Sequence, residues 1–201
     1  MNLGNYDGIK LNTGVIPKSV EILDLGQSNI KISKEVIPNT VTTLNLGEYS
    51  LEIEANTIHD TVKTINLGKY PKQLTHTNIP NTVTTINLGE YPFELKEGMI
   101  PPTVTTINLG EYPFELKEGM IPPTVTKVLL GNYSKLNESV KRCIDAKIIE
   151  QLLPVGSVLE IKQKNPHPVW PQTSLYLMKH NQLKDIFIAG TEYNIKRKKT
   201  Q

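Results

Sequence analysis

The 201-residue chain carries 22 Lys+Arg against 20 Asp+Glu, a formal net charge of +2 that gives no reason to expect nucleic acid as a partner. Cys143 is the single cysteine, which excludes an internal disulfide and points to a reducing compartment. No run approaches the roughly 18 apolar residues of a membrane span, and Met1 to Tyr6 lacks the basic-then-apolar order of a signal peptide, so an intracellular, cytoplasmic chain without a membrane partner is expected.

Residues 1–19 form a degraded first unit: Leu3-Gly4 and Tyr6 match landmarks that recur downstream, one extra residue falls near Asp7-Gly8, and Ile16-Pro17 restores the register. The chain is expected to start in mid-strand. From Val20 to Thr124 a 21-residue unit follows itself five times without a gap. Leu-Gly recurs at 25–26, 46–47, 67–68, 88–89 and 109–110, and the Ile-Pro slot at 37–38, 58–59 (where His59 replaces Pro), 79–80, 100–101 and 121–122. Units 83–103 and 104–124 are identical at every position. A fixed period in the twenties marks a solenoid, in which each unit buries its apolar residues only against its neighbours.

Within the unit, Val41, Leu44 and Leu46 are expected to point inward, with the period-two spacing of a strand. Gly47 then turns the backbone where a β-branched residue would resist. Ile53 and Ile58 supply the return path with apolar contacts, and the Ile-Pro pair suits an extended segment that needs no donor. Twenty-one residues leave no room for an α-helix and two full loops, so the return side is expected to be extended or single-turn 3₁₀. Stacking sets the strands in parallel at roughly 4.8 Å per unit, with Leu25, Leu46, Leu67, Leu88, Leu109 and Leu130 in one buried column and Leu23, Leu44, Ile65, Ile86, Ile107 and Val128 in another.

The pattern Val-x-x-Leu-x-Leu-Gly-x-Tyr with a later Ile-Pro-x-Thr-Val resembles the leucine-rich repeat, and resembles more closely its FNIP-repeat relative of social amoebae and of large DNA viruses that infect amoebae. The resemblance covers about 1–136. It departs from the family in lacking the Phe-Asn dipeptide, near whose place stand Tyr49, Tyr70, Tyr91, Tyr112 and Tyr133, and in a unit one residue shorter than the usual 22. Many family members carry an F-box, and no such segment is read here. The resemblance thus implies ubiquitin-ligase adaptor work only with a separate F-box protein. Leu153-Pro154 does not start one, because the Val-Gly-Ser-Val-Leu-Glu after it is strand-like.

After Tyr133 the pattern fails. Residues 138–153 space Val140, Ile144, Ile148 and Leu152 as an amphipathic helix stopped by Pro154, which is expected to cap the open column. Strand-like runs follow at 157–162, 174–178 and 185–189, then the basic end Lys196-Arg197-Lys198-Lys199. The expected architecture is therefore a right-handed, leucine-rich-repeat-like β-rich solenoid over 1–136 with a parallel sheet, a capping helix over 137–153 and a small β-containing appendage over 154–201. Net charge divides with it, −3 for 1–136 and +5 for 137–201.

The outward strand positions form the expected partner surface: Ile22/Asp24, Thr43/Asn45, Thr64/Asn66, Thr85/Asn87, Thr106/Asn108 and Lys127/Leu129. In leucine-rich repeats this concave face holds protein ligands. The opposing reading is that Thr and Asn satisfy one another along the ladder. Specificity, if present, is expected at the irregular ends, since duplicated middle units have had little time to diverge. The tyrosine column is expected at the sheet edge with its hydroxyls in water, not as a recognition stripe. At the next position along, Glu48, Lys69 and Glu90 adjoin as opposite charges of little energetic weight. The four histidines share no ligand spacing, Cys143 reads as core, and no phosphate loop or metal motif is present. The function expected is non-enzymatic protein–protein interaction by a monomer, with a protein partner (a host protein if the chain is viral), no cofactor and no nucleic acid. Two readings stand beside it: a structural or paralogue product without a tight partner, and, more distantly, an enzyme using the C-terminal region with His167 and His180.

Overall fold

The computed structural model describes residues 1–5, 11–110, 112–132, 138, 158–162, 173–179, 182–188 and 191–193. Six short strands stack in order, β1 (Ile22–Asp24), β2 (Thr43–Asn45), β3 (Thr64–Asn66), β4 (Thr85–Asn87), β5 (Thr106–Gly110) and β6 (Lys127–Asn132). All neighbours are parallel and pair at intervals of one unit, as in Leu44↔Ile65 and Ile65↔Ile86, with a shift of one residue between β5 and β6 after Asn108. Parallel pairing follows from the repeat, because each strand re-enters the sheet one full turn after its predecessor. Asn2 bridges Asp24 in parallel, and the Met1 carbonyl accepts from Asp24 N–H at 2.8 Å. The degraded first unit therefore continues the ladder, as the match of Leu3-Gly4 to later units required.

The rest of each unit is built from β-turns. In the unit starting at Val41, Tyr49 N–H bonds Leu46 C=O, Thr57 N–H bonds Glu54 C=O and Val62 N–H bonds His59 C=O. One three-residue strand and three turns close a 21-residue circuit, and no 3₁₀ helix occurs among the described residues. Proline fits the last turn as its first residue: Pro38, Pro80, Pro101 and Pro122 each accept through the carbonyl from the Val three positions on, at 3.0–3.1 Å, and nothing there asks for the N–H that proline lacks. His59 fills the same slot, and its ring Nε2 donates to the Lys34 carbonyl at 2.8 Å in the preceding unit.

The core is a column of stacked aliphatic ladders, with Leu23, Leu44, Ile65, Ile86, Ile107 and Val128 at 0–1% exposure and the Leu25-to-Leu130 ladder equally buried. The tyrosines belong to it too, which corrects the expectation of hydroxyls in water. Tyr49, Tyr70, Tyr91 and Tyr112 are 0–1% exposed. Each phenol reaches into the preceding unit's backbone: Tyr91 donates to Lys72 C=O at 3.2 Å and accepts from Leu74 N–H at 2.8 Å, and Tyr70 does the same with Leu51 and Ile53 at 3.1 and 3.0 Å. The left-handed turn at Gly reverses the alternation, so the residue two after it points back inside. Burial pushes the Tyr49, Tyr91 and Tyr112 phenols up to about 12 and raises that of Tyr70. In the unit 20–40, Ser28 stands in the tyrosine slot, fully buried and with no hydroxyl partner among the described residues.

Leu-Gly recurs for two physical reasons. Gly47, Gly68, Gly89 and Gly110 all hold φ between 59° and 64°, and a Cβ on Gly110 would sit 2.7 Å from the Gly89 carbonyl oxygen. Glycine thus supplies both the conformation and the close stacking of backbone on backbone. The Thr of Pro-x-Thr-Val also has a fixed task. Thr61, Thr82, Thr103 and Thr124 donate through Oγ1 to Val41, Val62, Val83 and Val104 C=O at the start of the same unit, at 2.8–3.3 Å, closing each circuit on carbonyls that lie ahead of the strand ladder.

Beyond β6 the sheet continues. β7 (Val158–Lys162) adds in parallel, and β8 (Thr173–Lys179), β9 (Gln182–Ile188) and β10 (Thr191–Tyr193) follow antiparallel, giving one ten-stranded order. The strand-like runs expected at 157–162, 174–178 and 185–189 thus extend the solenoid's own sheet. Of the helix expected over 138–153 only Glu138 is among the described residues, and it is helical. The rest of that helix, with Cys143, His167, His180 and the basic end, lies outside them.

Candidate functional site

Register places the expected partner residues in two straight rows. The first runs Ile22, Thr43, Thr64, Thr85, Thr106, Lys127, and the second Asp24, Asn45, Asn66, Asn87, Asn108, Leu129. Leu44, Ile65, Ile86 and Ile107 between them point inward, so by strand alternation both rows share the outer face. Ile22 is 54% exposed and Lys127 is exposed, whereas Asp24, Leu129 and the Thr and Asn positions between are half-buried by their neighbours.

The two rows differ in what they leave unsatisfied. Asn66 Nδ2 donates to Asn45 Oδ1 and Asn87 Nδ2 to Asn66 Oδ1, so these amides run as a ladder. Asn108 and Asp24 instead turn their side-chain oxygens onto Gly110 and Gly26 N–H, at 3.0 and 2.9 Å. The opposing reading of mutual satisfaction therefore describes much of the asparagine row. It does not describe the threonine row. Thr43, Thr64, Thr85 and Thr106 make no side-chain hydrogen bond among the described residues, leaving four hydroxyls at one-strand intervals.

A third row went unread in the sequence. Ahead of the strands lie Glu21, Thr42, Lys63, Thr84, Thr105 and Thr126, all exposed. Thr42 and Thr43 N–H both bond Glu21 C=O, at 2.8 and 3.1 Å, and the same bulge recurs in the next units. The bulge breaks strict alternation and turns this extra side chain outward. Glu21 and Lys63 are the charged members of an otherwise threonine row, and that departure was the signal available in the sequence.

The adjoining charges hold as expected. Lys69 Nζ lies 3.8 Å from Glu48 and 3.7 Å from Glu90, all three well exposed. On the return side two open clefts of about 370 and 520 Å³ flank the 75–78 turn, with His76 lining both. Asn78 fixes that turn, accepting from Thr75 N–H at 2.6 Å and donating to Ile53 C=O at 2.6 Å. Among the described residues no group of His, Cys, Asp or Glu is placed to hold a metal ion, and no helix is long and apolar enough to cross a membrane.

Comparison with known proteins places the repeat. The FNIP repeat family model matches residues 9–49 and 94–133. The units between, 50–93, have the same strand, turn and tyrosine geometry. Among solved structures the chain is similar to a protein of the giant virus CroV, described as a novel circular LRR protein, with a TM-score of 0.59 and 22% identity over 80% of this chain. The match spans 23% of that protein's length, and at this identity it speaks for the fold alone. No match is found among curated proteins. A repeat solenoid of this kind commonly mediates protein interaction and is typically non-enzymatic. The chain therefore matches the FNIP repeat over 9–49 and 94–133 and folds as a solenoid of the leucine-rich-repeat kind.

Proposed function

We propose that the chain is a non-enzymatic protein-interaction module that engages a protein partner through the outer face of its sheet. The observation that carries the reading is the row of Thr43, Thr64, Thr85 and Thr106 hydroxyls, in register and without a partner among the described residues. A rigid sheet holds such groups at fixed spacing before the partner arrives, so little ordering entropy is lost on binding. Ile22 and Asp24 at one end and Lys127 and Leu129 at the other give the face direction. Asn45, Asn66, Asn87 and Asn108 act chiefly as the ordered floor beside the threonines. The partner is a protein, a host protein if the chain is viral.

The test replaces Thr64, Thr85 and Thr106 together by Lys. Partners cross-linked to the wild-type protein in its native cells are identified by mass spectrometry and re-measured with the purified variant. Loss of binding with an unchanged circular dichroism spectrum supports the face; undiminished binding refutes it. The asparagine ladder favours a second reading, a structural array without a tight partner, since those amides are already spent on one another. That reading expects no partner to be captured by the wild-type protein at all.

A further inference from the structure

We infer that the partner of the outer face presents an acidic protein segment, and that Lys63 receives its carboxylate. The inference rests on the protein-interaction reading of that face and adds the chemistry of what the face holds. It starts from which lysines are already paired. Lys31 meets Glu54, Lys34 meets Asp60, Lys69 meets Glu48 and Glu90, and Lys117 meets Glu94, all within 3.8 Å. Lys63 is exposed and has no carboxylate partner among the described residues. Its neighbours along its own row are Thr42 and Thr84. The carboxylates on the same face, Glu21 and Asp24, stand two strands away, at least roughly 10 Å. That is about one Debye length at physiological salt, so they do little to neutralise it.

The backbone fixes where this charge stands. Lys63 and Thr64 N–H both bond Thr42 C=O, at 2.8 and 3.1 Å, and Lys63 C=O accepts from Thr84 and Thr85 N–H at 2.9 and 3.0 Å. Lys63 is thus held from both sides, and the bulge sets its side chain beside Thr64 on the outer face. In its own row the hydroxyls are committed, Thr42 to Glu21 C=O and Thr84 to Lys63 C=O, both at 3.4 Å. In the next row the hydroxyls of Thr43, Thr64 and Thr85 bond nothing among the described residues. A carboxylate has two acceptor oxygens and can take protons from two neighbouring hydroxyls of that row, while Lys63 supplies the opposite charge. Such charge-assisted bonds are stronger than neutral ones. Glu21 and Asp24 repel the same carboxylate from the first strand, which fixes where along the array it settles. Two other occupants fit less well. Nucleic acid needs several cations for its successive phosphates, and over β2 to β5 the described outer face offers Lys63 alone. The chain's own residues 137–201 carry 11 Lys+Arg against 6 Asp+Glu, a net of +5, and would meet Lys63 as like charge.

The experiment couples the full chain to poly-L-glutamate with a zero-length carbodiimide, which joins an amine to a carboxylate in contact with it, and reads the sites by peptide mass spectrometry. Lys72 and Lys96 are the internal standard: both are exposed on the return side, with no ion pair among the described residues. Lys63 is expected to couple roughly tenfold more than either, the weight of one charge-assisted hydrogen bond. The excess is expected to fall when Thr64→Val and Thr85→Val are combined. Coupling at Lys63 no greater than at Lys72 and Lys96 would overturn the inference. So would stronger shielding of Lys63 from acetylation by oligothymidylate than by poly-L-glutamate at equal charge, since the acid would then be a phosphate backbone. Lys63→Glu, measured with the partner cross-linked in native cells, separates the inference from the reading beneath it. A partner lost by the triple threonine variant but kept by Lys63→Glu leaves the face standing and removes the acidic segment. A partner kept by both variants removes the face itself.

Discussion

Replacing Tyr91 by Phe isolates the inward phenol. The ring and its apolar contacts remain, including the tilted packing on Phe93 at 5.5 Å between centroids, and only the hydroxyl is lost. Two backbone groups lose a partner, Leu74 N–H and Lys72 C=O. Leu74 is 4% exposed, so its N–H has no ready access to water, whereas Lys72 is an exposed residue whose carbonyl can rehydrate. One buried unsatisfied donor costs about 1–3 kcal/mol, and a midpoint change of about 2 kcal/mol lowers the melting temperature by roughly 4–8 °C in a chain of this size. Thr85→Ala is the control, because its hydroxyl bonds nothing among the described residues and its loss is expected to cost under about 0.5 kcal/mol. Urea titration followed by circular dichroism measures both. A Tyr91→Phe variant within about 0.5 kcal/mol of wild type would refute the clamp.

The glycine stack makes a second prediction. Gly68→Ala places a Cβ 3.1 Å from Gly47 Cα at φ +61°, whereas Gly98→Ala meets nothing within 4 Å at φ +75°. Thermal unfolding is expected to show roughly 1–2 kcal/mol lost at Gly98 from backbone strain and clearly more at Gly68; equal losses would remove the stacking argument. Lys69→Met is expected to change stability by less than about 0.5 kcal/mol, since its pairs with Glu48 and Glu90 are exposed, and a larger loss in the same assay would mean the charges act as a coupled network. Alkaline pH is expected to unfold the array. The folded phenols of Tyr49, Tyr91 and Tyr112 stand at about 12 against about 10 when unfolded. Their contribution is thus complete below pH 10 and lost as pH rises toward 12, on the order of a few kcal/mol per phenol. Of the eight tyrosines, the buried ones are expected to give tyrosinate absorbance only together with unfolding, between about pH 10 and 12, and ionisation of all eight near pH 10 in a protein that stays folded would contradict the burial.

Much of the fold was legible because the repeat sets its own register. Once Leu-Gly returns every 21 residues, Leu44, Ile65 and Ile86 must share a column, and parallel pairing of the six strands follows without any tertiary information. The later strands were legible as strand-like runs at 157–162, 174–178 and 185–189, though not their continuation of the solenoid's own sheet. The tyrosines were not, because period two holds only along a strand. Past Gly47 the chain turns through a left-handed residue, and only the folded turn sets Tyr49 facing inward. The same limit hid the row of Glu21 and Lys63, which a backbone bulge turns outward. Of the partner surface, the sequence could place Thr and Asn on one face, but which amides are spent on one another depends on hydrogen-bond direction between units.

By itself the sequence determined the circuit length, the stacking direction and the aliphatic columns, since a periodic chain has few ways to bury a periodic apolar pattern. The tertiary structure decided how the units recognise one another. Tyrosine on backbone and glycine on glycine join neighbouring units, threonine on carbonyl closes each unit's own circuit, and all are contacts between residues 17 to 21 positions apart whose partners are backbone atoms common to every residue. Backbone atoms leave no trace in a sequence, so only the folded chain reveals that they are what each unit holds.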